Sequence, residues 1–207
     1  MIPRFDISGE IGEDQARADP VRAFLAENTG PVEVTVNSPG GIATEGAAIM
    51  AALELHGNVT VRIVGMAASA ASLAALGGKR ILMHSAALFM IHDPAAFTFG
   101  PAEMHRSAAD ALDKMSDTYA RAYARATGHN VDRIRAWMKA ETWLTAEEAL
   151  ELNFCDQIEG TETTEQIFAA FDYSRFRNAP AELIKLAHNN GWATASPTTS
   201  NKGKADA

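Results

Sequence analysis

A hydroxyl, an imidazole and a carboxylate together can break an acyl bond, and Ser69, His92 and Glu141 supply one of each, in that order along 207 residues. The hydroxyl attacks the carbonyl, the imidazole takes its proton, and the carboxylate keeps the imidazole in the useful tautomer. The attacked carbonyl becomes an oxyanion, which needs fixed donors. Ser69 stands where such donors arise. It follows the apolar run Val61–Val64 and then Gly65-Met66-Ala67-Ala68, and it precedes an alanine-rich stretch that stops at Gly77-Gly78. That pattern predicts a buried strand, a tight turn after Gly65 and a closely packed helix, with Ser69 at the turn. The first N–H groups of a helix lack an internal acceptor, so the Ala70 amide is one donor. Gly41 offers the second. It ends Asn37-Ser38-Pro39-Gly40-Gly41, where main chain can approach a substrate with no Cβ in the way.

Each of these residues also has an ordinary reading. A serine at a strand-to-helix junction is a helix cap. A histidine after a strand serves packing, and a lone glutamate after a helix is a solvated surface group. Asp93, beside His92, would point to the opposite side of an extended backbone and is a poor orienter. The order Ser, His, acid differs from those of α/β-hydrolases, chymotrypsin and subtilisin, and no G-x-S-x-G elbow surrounds Ser69.

The elements that must position these residues follow from periodicity. Arg4–Gly12 reads as a strand running into a glycine turn, and Asp14–Asn28 has the spacing of a helix. Val32–Val36 alternates as a strand. A helix over Ile42–Leu55 follows, with Ile42, Ile49, Met50 and Leu53 inward, then a strand over Val59–Val64. Lys79–Met83 and Ala87–His92 are short strands. Strands alternating with helices indicate an α/β fold with right-handed crossovers. The longest helix, Pro101–Thr127, is opened by proline and closed by Gly128. Its apolar face comprises Met104, Ala108, Leu112, Met115, Tyr119, Ala122 and Ala126, which fits either a core helix or an arm that packs on a neighbouring subunit. Val131–Lys139 is a short helix, Glu141–Leu144 is extended, and Thr145-Ala146-Glu147-Glu148 is a capped helix start. Gln166–Trp192 holds one or two amphipathic helices interrupted by Pro180. The domain reading is therefore 1–160 as the main body, 161–192 as a helical extension and 193–207 as a disordered tail.

Composition excludes several functions. The formal net charge is −8, which argues against nucleic acid and against an anionic membrane surface. The single cysteine, Cys155, excludes an internal disulfide framework and fits a reducing compartment. No secretory signal opens the chain, and the least polar stretch, Ile63–Gly78, is too short to span a bilayer. The expected location is cytoplasmic. No metal-ligand cluster, P-loop or dinucleotide fingerprint occurs, so no cofactor and no bound ATP are expected.

Five segments carry a family resemblance. They are Val36–Gly46 (VNSPGGIATEG), Gly65–Ser69 (GMAAS), Phe89–Pro94 (FMIHDP), Thr127-Gly128 before a short helix, and Thr142–Asp156 (TWLTAEEALELNFCD). Together they resemble the proteolytic subunit of Clp protease, and more closely the Clp-like head maturation proteases of phages and prophages, from about Phe5 to Ile158. The resemblance implies a Clp protease/crotonase-like fold, a spiral of ββα units with a long protruding oligomerisation helix. It implies Ser69 as nucleophile, His92 as general base, Glu141 where the family carries aspartate, and an oxyanion hole at Gly41 and Ala70. It also implies that extended peptide adds as a strand along Gly40, Gly41, Ile42 and Ala43. Similar proteins form homo-oligomeric rings, often two stacked heptamers, and act on polypeptides. The chain begins close to its first strand, where Clp subunits carry an extension lining the axial pore, so docking to an ATPase unfoldase is not implied. The expected activity is that of a serine endopeptidase, with a role in phage head maturation. Two alternatives use the same core: a crotonase-like acyl-CoA enzyme, in which Ser69 and His92 would be idle, and a ring-forming structural protein with a degenerate site.

Overall fold

The computed structural model describes residues 1–160 and 168–193. It divides into two compact units, Met1–Ala169 and the residues from Ala170 onward. The first unit contains β1 (Arg4–Ser8), α1 (Ala18–Glu27), β2 (Val32–Ser38), α2 (Ala43–His56), β3 (Val59–Ala68), α3 (Ala70–Ala75), β4 (Arg80–His84), β5 (Leu88–Ile91), α4 (Ala102–Thr127), α5 (Val131–Ala140), β6 (Thr142–Leu144), α6 (Ala146–Glu151) and β7 (Gln157–Glu159). One mixed sheet runs β1-β2-β3-β4-β7, all parallel, while β5 pairs with β3 in parallel and with β6 antiparallel. Parallel neighbours need crossover helices, and α1 and α2 supply them between β1, β2 and β3.

The strand β3 is the spine. Its first half, Thr60–Ile63, pairs with β4, and its second half, Met66–Ala68, pairs with β5. The β2 register jumps here, from Val36 opposite Ile63 to Ser38 opposite Ala67. The surplus residues form a bulge, which bends the strand. This corrects two expectations. The strand does not turn at Gly65 but continues to Ala68, because small residues stay extended when both edges have ladder partners. Val64, expected to be buried, lies in the bulge and is partly exposed at 37%.

The core collects Ile7, Val34, Val36, Val61 and Ile63 from the strands with Ile49, Leu53, Leu73 and Ala75 from α2 and α3. The helix α3 lies wholly in this core, all six of its residues being buried, which accounts for its alanines: only small side chains let it sit so close to the sheet. Phe154 ties the periphery to the sheet, with its ring 5.2 Å from Phe89, 6.3 Å from Tyr123 and 6.1 Å from Trp137. Cys155 is buried beside it, and burial pushes its thiol up to about 11, so at neutral pH it is an inert packing group.

Other boundaries also move. The helix expected from Asp14 begins at Ala18, since the Gly12 amide bonds back to the Ala16 carbonyl and closes a turn there. Ile42, expected inward, is 54% exposed as the cap residue before α2. Along α4 the expected apolar stripe from Met104 to Ala126 holds no buried residue; Ala120, Tyr123, Ala124 and Thr127 are the buried ones. The N-terminal half of this helix therefore extends beyond its own unit's core. The capping box at Thr145 and Glu148 is present as expected.

In the second unit, α7 (Ala181–Asn189) starts at Pro180, and a single 3₁₀ turn, Tyr173–Arg175, precedes it. Between residues 168 and 179 no α-helix forms, so among the described residues the stretch holds one of the one or two helices expected. The rings of Phe171, Tyr173 and Phe176 pack together there instead, with centroids 5.5 Å and 5.4 Å from Phe171. Residues 161–167, the start of the expected helical extension, and 194–207, within the expected disordered tail, lie outside the described residues.

Candidate active site

Ser69 sits at the junction of β3 and α3 with φ 54° and ψ −124°. A positive φ is costly for a residue with a Cβ, of order 1–3 kcal/mol, and such strain collects at functional sites. Four contacts hold it. The Ser69 N–H donates to the Met90 carbonyl of β5 at 2.9 Å. The Ser69 carbonyl accepts from Ser72 Oγ at 2.7 Å and from the amides of Ser72 and Leu73 at 3.0 and 3.3 Å. Its side chain makes no capping bond to the helix, so the cap reading fails. The hydroxyl instead lies 2.7 Å from His92 Nε2.

His92 follows β5 directly, and Glu141 directly precedes β6. The antiparallel register pairs Ile91 with Thr142, so the next position outward sets His92 opposite Glu141. A single carbonyl, that of Met138 at the end of α5, accepts from the Asp93 amide at 3.2 Å and the Glu141 amide at 3.0 Å. It clamps the two segments together. Glu141 is the left-handed cap of α5, with φ 53°, rather than the extended residue expected. That kink turns its carboxylate inward, where the side chain is 6% exposed. One oxygen stands 3.7 Å from His92 Nδ1, an ion-pair distance somewhat longer than a direct hydrogen bond. The other accepts from the Trp143 indole at 3.4 Å. Asp93 turns elsewhere and accepts from Ser116 Oγ at 2.6 Å.

Gly40 of the glycine pair packs against Ser69. Gly40 has φ 97°, and a Cβ there would fall 2.6 Å from Ser69 Cβ and 2.7 Å from the Ala68 carbonyl. Gly40 therefore supplies clearance beneath Ser69. Gly41, with φ 149°, packs against the Ile11 backbone. The Gly40 carbonyl and the Ile42 amide bond Ile11, which leaves the Gly41 amide on the other side of the chain. Ala70 is the first residue of α3, so its N–H has no acceptor within the helix. Ile42 and Ala43 continue from the glycines along one exposed or half-exposed edge.

Two residues of this neighbourhood were not singled out from the sequence: Ser72, and Tyr123, whose hydroxyl lies 2.7 Å from Ser72 Oγ. Ser72 is hidden in an alanine run that reads as packing, and Tyr123 is distant in sequence. Among the described residues no group of three or more His, Cys, Asp or Glu side chains could hold a metal ion. No described helix is long and apolar enough to cross a membrane.

A serine hydroxyl against an imidazole, with a carboxylate behind it, can perform nucleophilic acyl transfer. The sequence agrees with that geometry: the Clp protease family model matches residues 8–162. The chain belongs to the Clp protease family. It is 30% identical over 138 residues to the ATP-dependent Clp protease proteolytic subunits of several Streptococcus pneumoniae strains, covering 64% of this chain and 70% of theirs. Among solved structures it resembles an Asn-to-Asp mutant of ClpP1 from Listeria monocytogenes, with a TM-score of 0.67 and 25% identity over 77% of this chain and 92% of that one. The fold is thus the α/β spiral of Clp proteolytic subunits, as the motifs implied. These likenesses do not favour an acyl-CoA enzyme.

Proposed function

We propose that this Clp-family chain is a serine endopeptidase. Ser69 attacks the peptide carbonyl and His92 takes its proton, with Glu141 orienting the imidazole. The Gly41 and Ala70 amides hold the oxyanion. His92 then protonates the leaving amine, and water, activated by the same imidazole, clears the acyl-enzyme. An extended substrate lies along Gly40–Ala43, with Ile42 exposed toward it. The observation that carries this reading is the 2.7 Å contact between Ser69 Oγ and His92 Nε2 at a strained, uncapped serine.

The active form is a homo-oligomeric ring, heptameric or a stacked double ring. The long α4, whose first half is unburied in the single chain, supports this, and native mass measurement tests it. The substrates are polypeptides, and the resemblance of the motifs to phage and prophage head maturation proteases points to capsid or scaffold proteins of a phage head. No cofactor is required.

A fluorophosphonate probe decides the chemistry. The assembled protein is expected to label, and Ser69→Ala to abolish labelling. An intact assembly that never labels at any pH would remove the peptidase reading in favour of a structural ring protein.

A further inference from the structure

The Ser69–Ala70 peptide unit has two working ends. Its N–H is the Ala70 amide, one of the two oxyanion donors proposed above. Its C=O is the Ser69 carbonyl, which points the opposite way because a trans peptide is planar. Whatever fixes that carbonyl therefore fixes the aim of the amide. The amides of Ser72 and Leu73 do so as part of the first helical turn. Ser72 Oγ adds a third bond, at 2.7 Å, that any alanine in its place would lack.

Proton direction follows from valence. A carbonyl only accepts, so the single Ser72 hydroxyl proton lies toward Ser69. The 2.7 Å contact between Ser72 Oγ and the Tyr123 hydroxyl must then use the tyrosine's proton. Tyr123 is 3% exposed and Ser72 is fully buried. Burial holds the phenol protonated far above the ordinary tyrosine range, so it remains a donor wherever the enzyme works. The ring is held edge-on against Phe154. The result is a one-way chain: Tyr123 O–H to Ser72 Oγ, Ser72 O–H to Ser69 C=O, and across the peptide to Ala70 N–H. Hydrogen bonds in series polarise one another, and a carbonyl that accepts strongly makes its peptide N–H a stronger donor.

We propose that Ser72 and Tyr123 are positioning residues for the reaction, anchoring and polarising the peptide unit that presents the Ala70 amide to the oxyanion. The proposal rests on the serine-peptidase reading. It assigns a role to α4 at the site: its buried C-terminal half braces the nucleophile's turn from behind, on a residue that touches no substrate.

The test is steady-state kinetics on the assembled protein with a peptide substrate, together with binding of a peptide aldehyde, whose hemiacetal with Ser69 carries the oxyanion. Ser72→Ala is expected to lower kcat about tenfold and Tyr123→Phe several-fold, less than deleting an oxyanion donor outright. KM stays unchanged, and aldehyde affinity falls by the same factor as kcat. Ser72→Ala alone also strands a buried phenol, so thermal stability falls with it. The double variant Ser72→Ala/Tyr123→Phe removes both polar partners and is expected to regain much of that stability while kcat stays low. If activity instead recovers in step with stability, or if the loss lies in KM, the pair is mere packing and the proposal is overturned. The parent chain is the separate control. Should it hydrolyse nothing and carry no Ser69-dependent fluorophosphonate label, the peptidase reading itself is lost and this inference with it.

Discussion

Ser69 and Glu141 share an uncommon property: both are residues with side chains at positive φ, 54° and 53°. Such positions persist only where the surroundings over-determine them. For Ser69 the result is a hydroxyl freed from capping and aimed at His92. For Glu141 it is a carboxylate folded back under the imidazole. The carboxylate is the testable partner, since it stands 3.7 Å from Nδ1. Glu141→Gln keeps the shape and removes the charge, so kcat is expected to fall by roughly 10²- to 10⁴-fold with little change in KM. Equal kcat in the two proteins would remove Glu141 from the mechanism. Ser69 and His92 were legible from their motifs. Glu141 was the residue least determined by sequence, because nothing local marks an αL cap at a helix end that glutamate occupies.

At the level of elements, the site is an outcome of how β3 is built. Its bulge lets one strand serve β4 with one half and β5 with the other, which brings Ser69 within one hydrogen bond of Met90. The turn after β2 must then pass beneath Ser69, and only a residue without a Cβ fits. Gly40→Ala places a Cβ 2.6 Å from Ser69 Cβ and against backbone at 2.7 Å, at φ 97°. The expected cost is of order 1–3 kcal/mol in stability, with loss of Ser69 labelling because the Ser69 hydroxyl must shift. Thermal unfolding and probe labelling check both arms, and a stable, fully labelling variant would contradict this account of the turn.

Across the whole molecule, charged side chains lace the outer face of the sheet. Arg4 on β1 pairs with Glu33 on β2 at 3.0 Å, Glu33 pairs with Arg62 on β3 at 2.9 Å, and Arg62 reaches Glu159 on β7. The hydrogen bond from Arg62 is the main cause that holds the Glu33 carboxyl below its ordinary 4.5, helped by the charges of Arg62 and Arg4 and opposed by burial. A carboxylate whose pKa is lowered by folding stabilises the native state above its unfolded pKa. That contribution is lost as pH falls through the lowered folded value. Denaturation midpoints of the parent and Glu33→Gln are therefore expected to differ by a constant amount above about pH 5 and to converge in more acidic solution. A gap that persists at low pH would mean that Glu33 acts by packing rather than by charge.

Sequence alone predicted the alternation of strands and helices, and it singled out Ser69 and His92, which the fold brings within 2.7 Å of each other. Periodicity, turn chemistry and short motifs are local, and one residue's neighbours along the chain carry them. Tertiary structure decided the rest. The extension of β3 past Gly65 depends on ladder partners contributed by β5. The pairing of His92 with Glu141 depends on the β5–β6 register. The contact from Tyr123 to Ser72 joins residues 51 positions apart. In each case the deciding hydrogen bond crosses between elements, and its geometry exists only once those elements have packed.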